Sequence, residues 1–415
     1  MGTLMLLGGS NCQLSAVRMA KAMGHKVILV DYLKHPPAAD LCDVHVHAST
    51  FDHEACISAA KQYGIDGVFT IGTDQPVYTA ALVARALHLP SHISVETALA
   101  ATNKLVMKEA FLKAGVRHVP YVLLKRGQGM EVLNPLVSPY VLKPLDSQGQ
   151  RGIFKLDSAE EVSEHLDNTL SFSRMDTALA ESFYPSDEVT CSCFVHHGHV
   201  YPLTITDRQL CFDPVHIGVC AAHRYPSIHA DREAEINAIS VQVAGALGVT
   251  EGPLYIQLLV GRQGILVNEA ACRIGGAYED VFIPRITGFD ILQAVILMAL
   301  NREPDVSALI SPPPRPARLQ VSVQMLFCRP GLIASVTPLE QLLAQNGVLT
   351  AGYNYAPGST LKAMENATER FGYCVLYSDA GDVQEKVQAL YRLLKVADSE
   401  GNNLVIARTY DGKET

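Results

Sequence analysis

Val141-Leu-Lys-Pro-Leu-Asp-Ser-Gln-Gly-Gln-Arg-Gly-Ile153 ends an apolar strand on a lysine and runs directly into a loop carrying two glycines. A lysine so placed supplies a point charge and the loop supplies backbone N–H donors, a combination that suits a phosphate group. Gly149 and Gly152 let the backbone approach without a Cβ in the way. The order rules out a Walker loop, because Lys143 precedes the glycines and no Gly-Lys-Ser/Thr follows. Read alone, the stretch is either a phosphate cradle or an ordinary hairpin turn.

Three neighbouring stretches carry further chemistry. Upstream, Ala101-Thr-Asn-Lys-Leu-Val-Met-Lys-Glu-Ala-Phe-Leu-Lys-Ala-Gly-Val116 predicts a helix over about 103–114, stopped by Gly115. Downstream, Ala180-Glu-Ser-Phe-Tyr-Pro-Ser-Asp-Glu-Val-Thr190 places Glu181 and Glu188 on either side of a turn. They suit the two ends of a nucleoside, or are two solvated turn acids. Finally, Tyr255-Ile-Gln-Leu-Leu259 precedes Leu266-Val-Asn-Glu-Ala-Ala-Cys-Arg-Ile-Gly-Gly276, with Glu269 at the end of an apolar strand. An uncompensated charge is costly there, and a bound Mg²⁺, which takes oxygen ligands, would compensate it. Arg273 could then hold an anionic substrate group. Asp207 and Arg208, closing the run from Thr204, and Arg224 are either substrate contacts or a salt-bridged turn.

Around these stretches the chain divides. Over the first hundred residues, short apolar runs at Leu4–Leu7, Val27–Val30, Val44–Val46 and Val68–Ile71 alternate with helical patterns. That rhythm predicts a parallel sheet covered by helices. The following two hundred residues read as α+β with antiparallel pairs. Ser311-Pro-Pro-Pro-Arg-Pro316 is the clearest linker, and a third α/β unit is expected beyond it. Gly8-Gly9-Ser10-Asn11 with Asp31 resembles a dinucleotide site, but GxGxxG is absent; nicotinamide binding is the least favoured of the functional readings.

The 415 residues, 48% hydrophobic and 18% charged, suit two or three folded domains. A net charge of −9 argues against nucleic-acid or acidic-membrane partners. Ten scattered cysteines without a CxxC pair suit a reducing cytoplasm. No signal peptide and no membrane-spanning run is expected. His196, His197 and His199 cluster at a turn with no acids at zinc spacing in sequence, which favours solvent-exposed histidines.

Taken in order, Lys104, Lys143 with its glycine loop, Glu181, Glu188, Gln257, Glu269 and Arg273 resemble the ATP-grasp superfamily. The likeness covers roughly residues 1–310 and is greatest to the carbamoyl-phosphate-synthetase-like and amino-acid-ligase branches. It implies an α/β and α+β protein: a pre-ATP-grasp domain (1–97), an ATP-grasp domain (98–310, lobes about 115–186 and 187–310), and a C-terminal α/β lid-like domain (317–415). It implies that Lys104 and Lys143 contact the phosphates of ATP, capped by Ser147, Gly149 and Gly152. Glu181 and the backbone near Tyr184 would read adenine, and Glu188 the ribose. Gln257 and Glu269 would ligate Mg²⁺, with Mn²⁺ as an alternative ion. Arg273 would stabilise acyl-phosphate oxygens. The implied activity is ADP-forming ligation of a small carboxylate to an amine, in a cytoplasmic protein with a homodimer as the default assembly. Two positions depart from the family pattern: Ala271 stands where Asn is usual, and Ser192 where an acid is frequent. On a regular strand Asn268 would point to the opposite face from Glu269, making it a poor substitute. A catalytically weakened nucleotide-binding or regulatory protein is therefore the alternative reading.

Overall fold

The computed structural model describes residues 2–211, 213, 215–409 and 414. Its N-terminal unit contains β1 (Thr3–Leu7), α1 (Leu14–Ala22), β2 (Lys26–Asp31), β3 (Val44–His47), α2 (His53–Tyr63), β4 (Gly67–Phe69) and α3 (Gln75–Leu87). The sheet is parallel, in the order β3-β2-β1-β4. β1 and β2 read as continuous apolar runs because both faces are covered. Leu4, Leu6, Val27 and Leu29 pack toward α1, while Met5, Leu7, Ile28 and Val30 pack toward α2 and α3.

α4 (Val95–Thr102) and α5 (Lys104–Ala114) lead into the next unit. α4 lacks the polar face that would have marked it in sequence; five of its eight residues are buried. Asn103 caps α5 by accepting from the backbone N–H groups of Leu105 (3.0 Å) and Val106 (3.2 Å), and Gly115 closes it in the left-handed conformation. A small antiparallel sheet follows, built from β5 (Tyr121–Lys125), β6 (Tyr140–Pro144), β7 (Phe154–Leu156) and β8 (Thr177–Ser182) in the order β5-β8-β6-β7. α6 (Ala159–Ser171) covers its apolar face.

The larger lobe comprises β9 (Ser186–His196), β10 (His199–Leu210), β11 (Cys220–Tyr225), α7 (Glu233–Leu247), β12 (Gly252–Gly261), β13 (Gly264–Ala271), α8 (Glu279–Thr287), α9 (Ile291–Ala299) and α10 (Ser307–Ile310). After the exposed proline segment come β14 (Gln320–Leu326), β15 (Gly331–Leu332), β16 (Ser335–Val336), α11 (Leu339–Leu343), β17 (Val348–Tyr353), β18 (Thr360–Leu361), β19 (Gly372–Ser378), α12 (Val383–Leu393) and β20 (Val396–Ala397). The central sheet is antiparallel and eight-stranded, in the order β13-β12-β9-β10-β11-β14-β19-β17. Three strands from beyond the proline segment thus complete a sheet begun in the larger lobe, while Phe371, Leu376 and Val387 build a further core on that side. The N-terminal unit is also tied in: a Cβ on Gly67 would lie 2.1 Å from the Ala299 carbonyl oxygen of α9. Only glycine permits this approach of strand to helix. Among the described residues no single helix is long and apolar enough to cross a membrane.

Candidate active site

The face of the central sheet turned toward the small lobe is polar. On β9, Val189, Cys191 and Cys193 alternate inward to an apolar core, so both cysteines serve as small hydrophobes. The intervening Glu188, Thr190 and Ser192 face the other way. Thr190 lies opposite Gln257, which lies opposite Glu269; Glu188 lies opposite Arg208. This register draws Glu188, Arg208, Tyr255, Gln257, Glu269 and Arg273 onto one surface. Tyr255, Glu269 and Arg273 of this surface line a cleft closed on the other side by Lys104, Ser147 and Asp74 of the N-terminal unit.

Lys143 Nζ lies 2.5 Å from Glu181 Oε2 and donates to Asn268 Oδ1 at 3.0 Å. The second Glu181 oxygen is paired with Lys108. Lys104 Nζ lies 3.7 Å from Glu269 Oε2 and donates to the Ser147 carbonyl at 3.1 Å. Burial pushes the Glu269 carboxyl up, but Lys104, Lys143, Arg208 and Arg273 together bring it below the usual carboxylate range. Arg208 donates to Glu188 Oε2 at 3.0 Å and to the Tyr255 hydroxyl at 3.2 Å. Arg273 stacks over the Tyr255 ring at 4.7 Å and is ion-paired with Asp74.

Several expectations change on this geometry. Glu181 was expected at the adenine, but its side chain is only 2% exposed and held between two ammonium groups. Burial would raise its pKa; Lys108 and Lys143 instead bring it down to about 2. Its carboxylate therefore fixes Lys143. The Tyr184 hydroxyl donates to the Gly264 carbonyl at 2.9 Å and pins the β12–β13 turn. Asp207 accepts from Arg224 at 2.6 Å and from the Ile228 N–H at 3.0 Å, and also from Ser227. Asp207 and Arg224 thus make the salt-bridged turn, while Arg208 alone of the three faces Glu188 and Tyr255. Gly152 has φ +70°, and a Cβ there would meet the Phe172 ring at 2.8 Å, so packing on α6 also requires glycine. Gly149, at φ +71°, has open space around it, and its carbonyl accepts from the Ala367 N–H at 3.0 Å.

Asn268 departs from strict strand alternation. Gln257 pairs with Glu269 and Leu258 with Val267, leaving Asn268 as the extra residue of a β-bulge. A bulge re-aims the side chain, and Asn268 reaches the same lysine that serves Glu181. Lys108 was not read from the sequence. Its spacing of four from Lys104 puts both on one helical face, a signal that was there to use. Glu279, 1% exposed beneath Arg273, was also missed. Burial raises its carboxyl to about 7. Folding therefore favours its protonated form, and the associated stability, present below the ordinary 4.5, is lost as pH rises through 7. That loss is on the order of 3 kcal/mol. Glu279→Gln is expected to remove this contribution, so its melting temperature should fall less than the wild type's between pH 4.5 and 7.5. Parallel thermal melts for the two proteins would discount the burial argument.

No family model matches the chain. Dapdiamide A synthase of Enterobacter agglomerans is 24% identical over 331 residues, 74% of this chain and 73% of that protein. N5-carboxyaminoimidazole ribonucleotide synthase of Bacillus subtilis (strain 168) is 25% identical, over 65% of this chain and 68% of that one. The crystal structure of L-amino acid ligase from Bacillus licheniformis superposes with a TM-score of 0.80 at 18% identity, covering 96% of this chain and 99% of the other. The chain has the ATP-grasp fold. Its small antiparallel sheet and the β13-β12-β9-β10-β11 part of its central sheet stand on either side of the cleft described above.

Proposed function

We propose that this ATP-grasp protein is an ATP-dependent carboxylate–amine ligase. It joins an amino acid or related small acid to an amine through an acyl phosphate, and releases ADP and phosphate. The observation that carries this reading is the convergence of Lys104, Glu269 and Arg273 on one cleft, with Lys143, from a third chain segment, held beside it by Glu181 and Asn268. Lys104 and Lys143 would share the nucleotide's phosphate charge. The Ser147 hydroxyl, buried without a partner among the described residues, is a ready donor to the same phosphates. Glu188 would hold the ribose hydroxyls and the backbone near Tyr184 the adenine.

Glu269, Gln257 and the re-aimed Asn268 form an all-oxygen donor set of the kind Mg²⁺ takes, with Mn²⁺ as an alternative. Such an ion supplies charge neutralisation across the terminal phosphates. Asn268 also weakens the alternative of a catalytically disabled protein, since it offers an amide oxygen despite Ala271. Arg273 is oriented by Asp74, and its Nε has no partner among the described residues. That nitrogen suits a carboxylate or acyl-phosphate oxygen. The remaining parts of this reading are a cytoplasmic setting and a homodimer.

The deciding experiment supplies ATP and Mg²⁺ with a panel of acids and amines, and quantifies nucleotide products. The expected result is ADP and phosphate in equal amounts with the coupled product, and a hydroxamate when hydroxylamine replaces the amine. AMP with pyrophosphate would overturn the acyl-phosphate route.

A further inference from the structure

The β9–β10 turn sits at the far end of β9 from Glu188, eight residues and about 27 Å along the strand. There His196 and His197 meet two carboxylates that are distant in sequence. Glu251 comes from the α7–β12 connection and Glu303 from the segment between α9 and α10. The two imidazole rings lie 4.0 Å apart, tilted by 31°. His196 Nδ1 is 3.2 Å from Glu251 Oε2 and His197 Nδ1 is 3.0 Å from Glu251 Oε1. On the other edge of both rings, His196 Nε2 is 3.1 Å and His197 Nε2 is 3.4 Å from a single oxygen of Glu303.

Counting protons shows what this arrangement lacks. A neutral imidazole carries one N–H, so two rings supply two protons for four carboxylate contacts. Protonating both rings would satisfy all four, at the expense of stacking two cations 4.0 Å apart. Neutral rings leave two of the four contacts without a proton whichever nitrogens carry the N–H groups; one arrangement places both on Nε2, donating to Glu303. Both Nδ1 lone pairs then face the Glu251 carboxylate, which is lone pair against lone pair. A divalent cation removes that conflict. Candidate donor atoms of His196, His197 and Glu251 lie within 4.8 Å of one another, so a modest contraction would let one central ion reach all three at ion-to-ligand distances of about 2.0–2.2 Å.

We infer that His196, His197 and Glu251 form a binding site for a divalent transition metal, Zn²⁺ being the ion that suits two imidazoles and a carboxylate. Glu303 is the outer carboxylate that fixes both imidazole tautomers, and the Glu251 carboxylate is itself oriented by the His197 backbone N–H at 2.8 Å. The ion would reinforce the junction of the β9–β10 turn with the α7–β12 connection, already joined by the Gly198 N–H to the Thr250 carbonyl at 2.9 Å, and Glu303 would add the α9–α10 segment from outside. It lies apart from the nucleotide cleft and does not depend on the proposed reaction.

The test uses the full-length protein, free of any affinity tag and stripped with a chelator, then titrated with Zn²⁺ against a chromophoric competitor. The expected result is one saturable equivalent accompanied by a rise in melting temperature. His197→Ala, at a position 72% exposed on its side chain, is expected to fold and to lose that equivalent. Glu303→Gln is expected to weaken it by about 10–100-fold. Glu269→Gln, in the cleft, is expected to keep it. Absence of a saturable equivalent in the wild type, an unchanged equivalent in His197→Ala, or its loss in Glu269→Gln would each overturn the assignment.

Discussion

Glu181→Gln is expected to destabilise the protein by about 3–5 kcal/mol, because it leaves two buried ammonium groups without their counter-charge. Lys108 and Lys143 both pair with this one carboxylate, and Lys108 is itself only 2% exposed. Burial lowers the Lys108 pKa, and the Glu181 charge works against that fall. Removing the carboxylate therefore removes the ion-pair partner that keeps the Lys108 ammonium charged. Pairing the change with Lys108→Met should restore part of the stability, since an apolar side group of similar length replaces the stranded charge. Denaturant unfolding of both variants measures this. Equal stability of Glu181→Gln and wild type would discard the buried-triad account. The same carboxylate predicts an acid limb. Its folded pKa of about 2 lies below the ordinary 4.5, so its stabilisation is complete above 4.5 and is lost as pH falls toward 2. The amount is on the order of 3 kcal/mol.

The second large effect concerns turnover. Glu269→Gln is expected to lower kcat for ADP release by about 10²–10³-fold, the scale set by removing one group aimed at developing charge. The change keeps the shape of the side chain but leaves one neutral carbonyl oxygen in place of two carboxylate oxygens, and removes the charge facing Lys104 at 3.7 Å. The Mg²⁺ concentration needed for half-maximal rate should rise with it, whereas a purely structural role would leave that requirement unchanged. Asn268→Ala should move the same two quantities in the same direction by a smaller factor. Steady-state rates over a Mg²⁺ series decide the matter, and wild-type kcat in Glu269→Gln would remove Glu269 from the reaction.

What was legible in sequence was whatever short-range physics controls. The continuous apolar runs of β1 and β2 announced a sheet covered on both faces. Asn103 and Gly115 marked the two ends of α5 through a side-chain cap and a left-handed glycine. Lys143 at a strand end before Gly149 and Gly152 announced a cleft loop. The order of the charged residues carried the ATP-grasp likeness, because the order of segments along the chain survives when identity falls to 24%. Tertiary structure decided what depends on register and on partners far along the chain. Strand alternation places Asn268 away from Glu269, and one unpaired residue in the β12–β13 ladder reverses that. Arg273 is held by Asp74, 199 residues earlier, and Glu181 is claimed by two lysines from a helix and a strand. His196 and His197 lack acids nearby in sequence, yet folding delivers Glu251 and Glu303 to them. In each case local spacing sets which way a side chain can point, but only packing of the whole protein sets which charge it meets there.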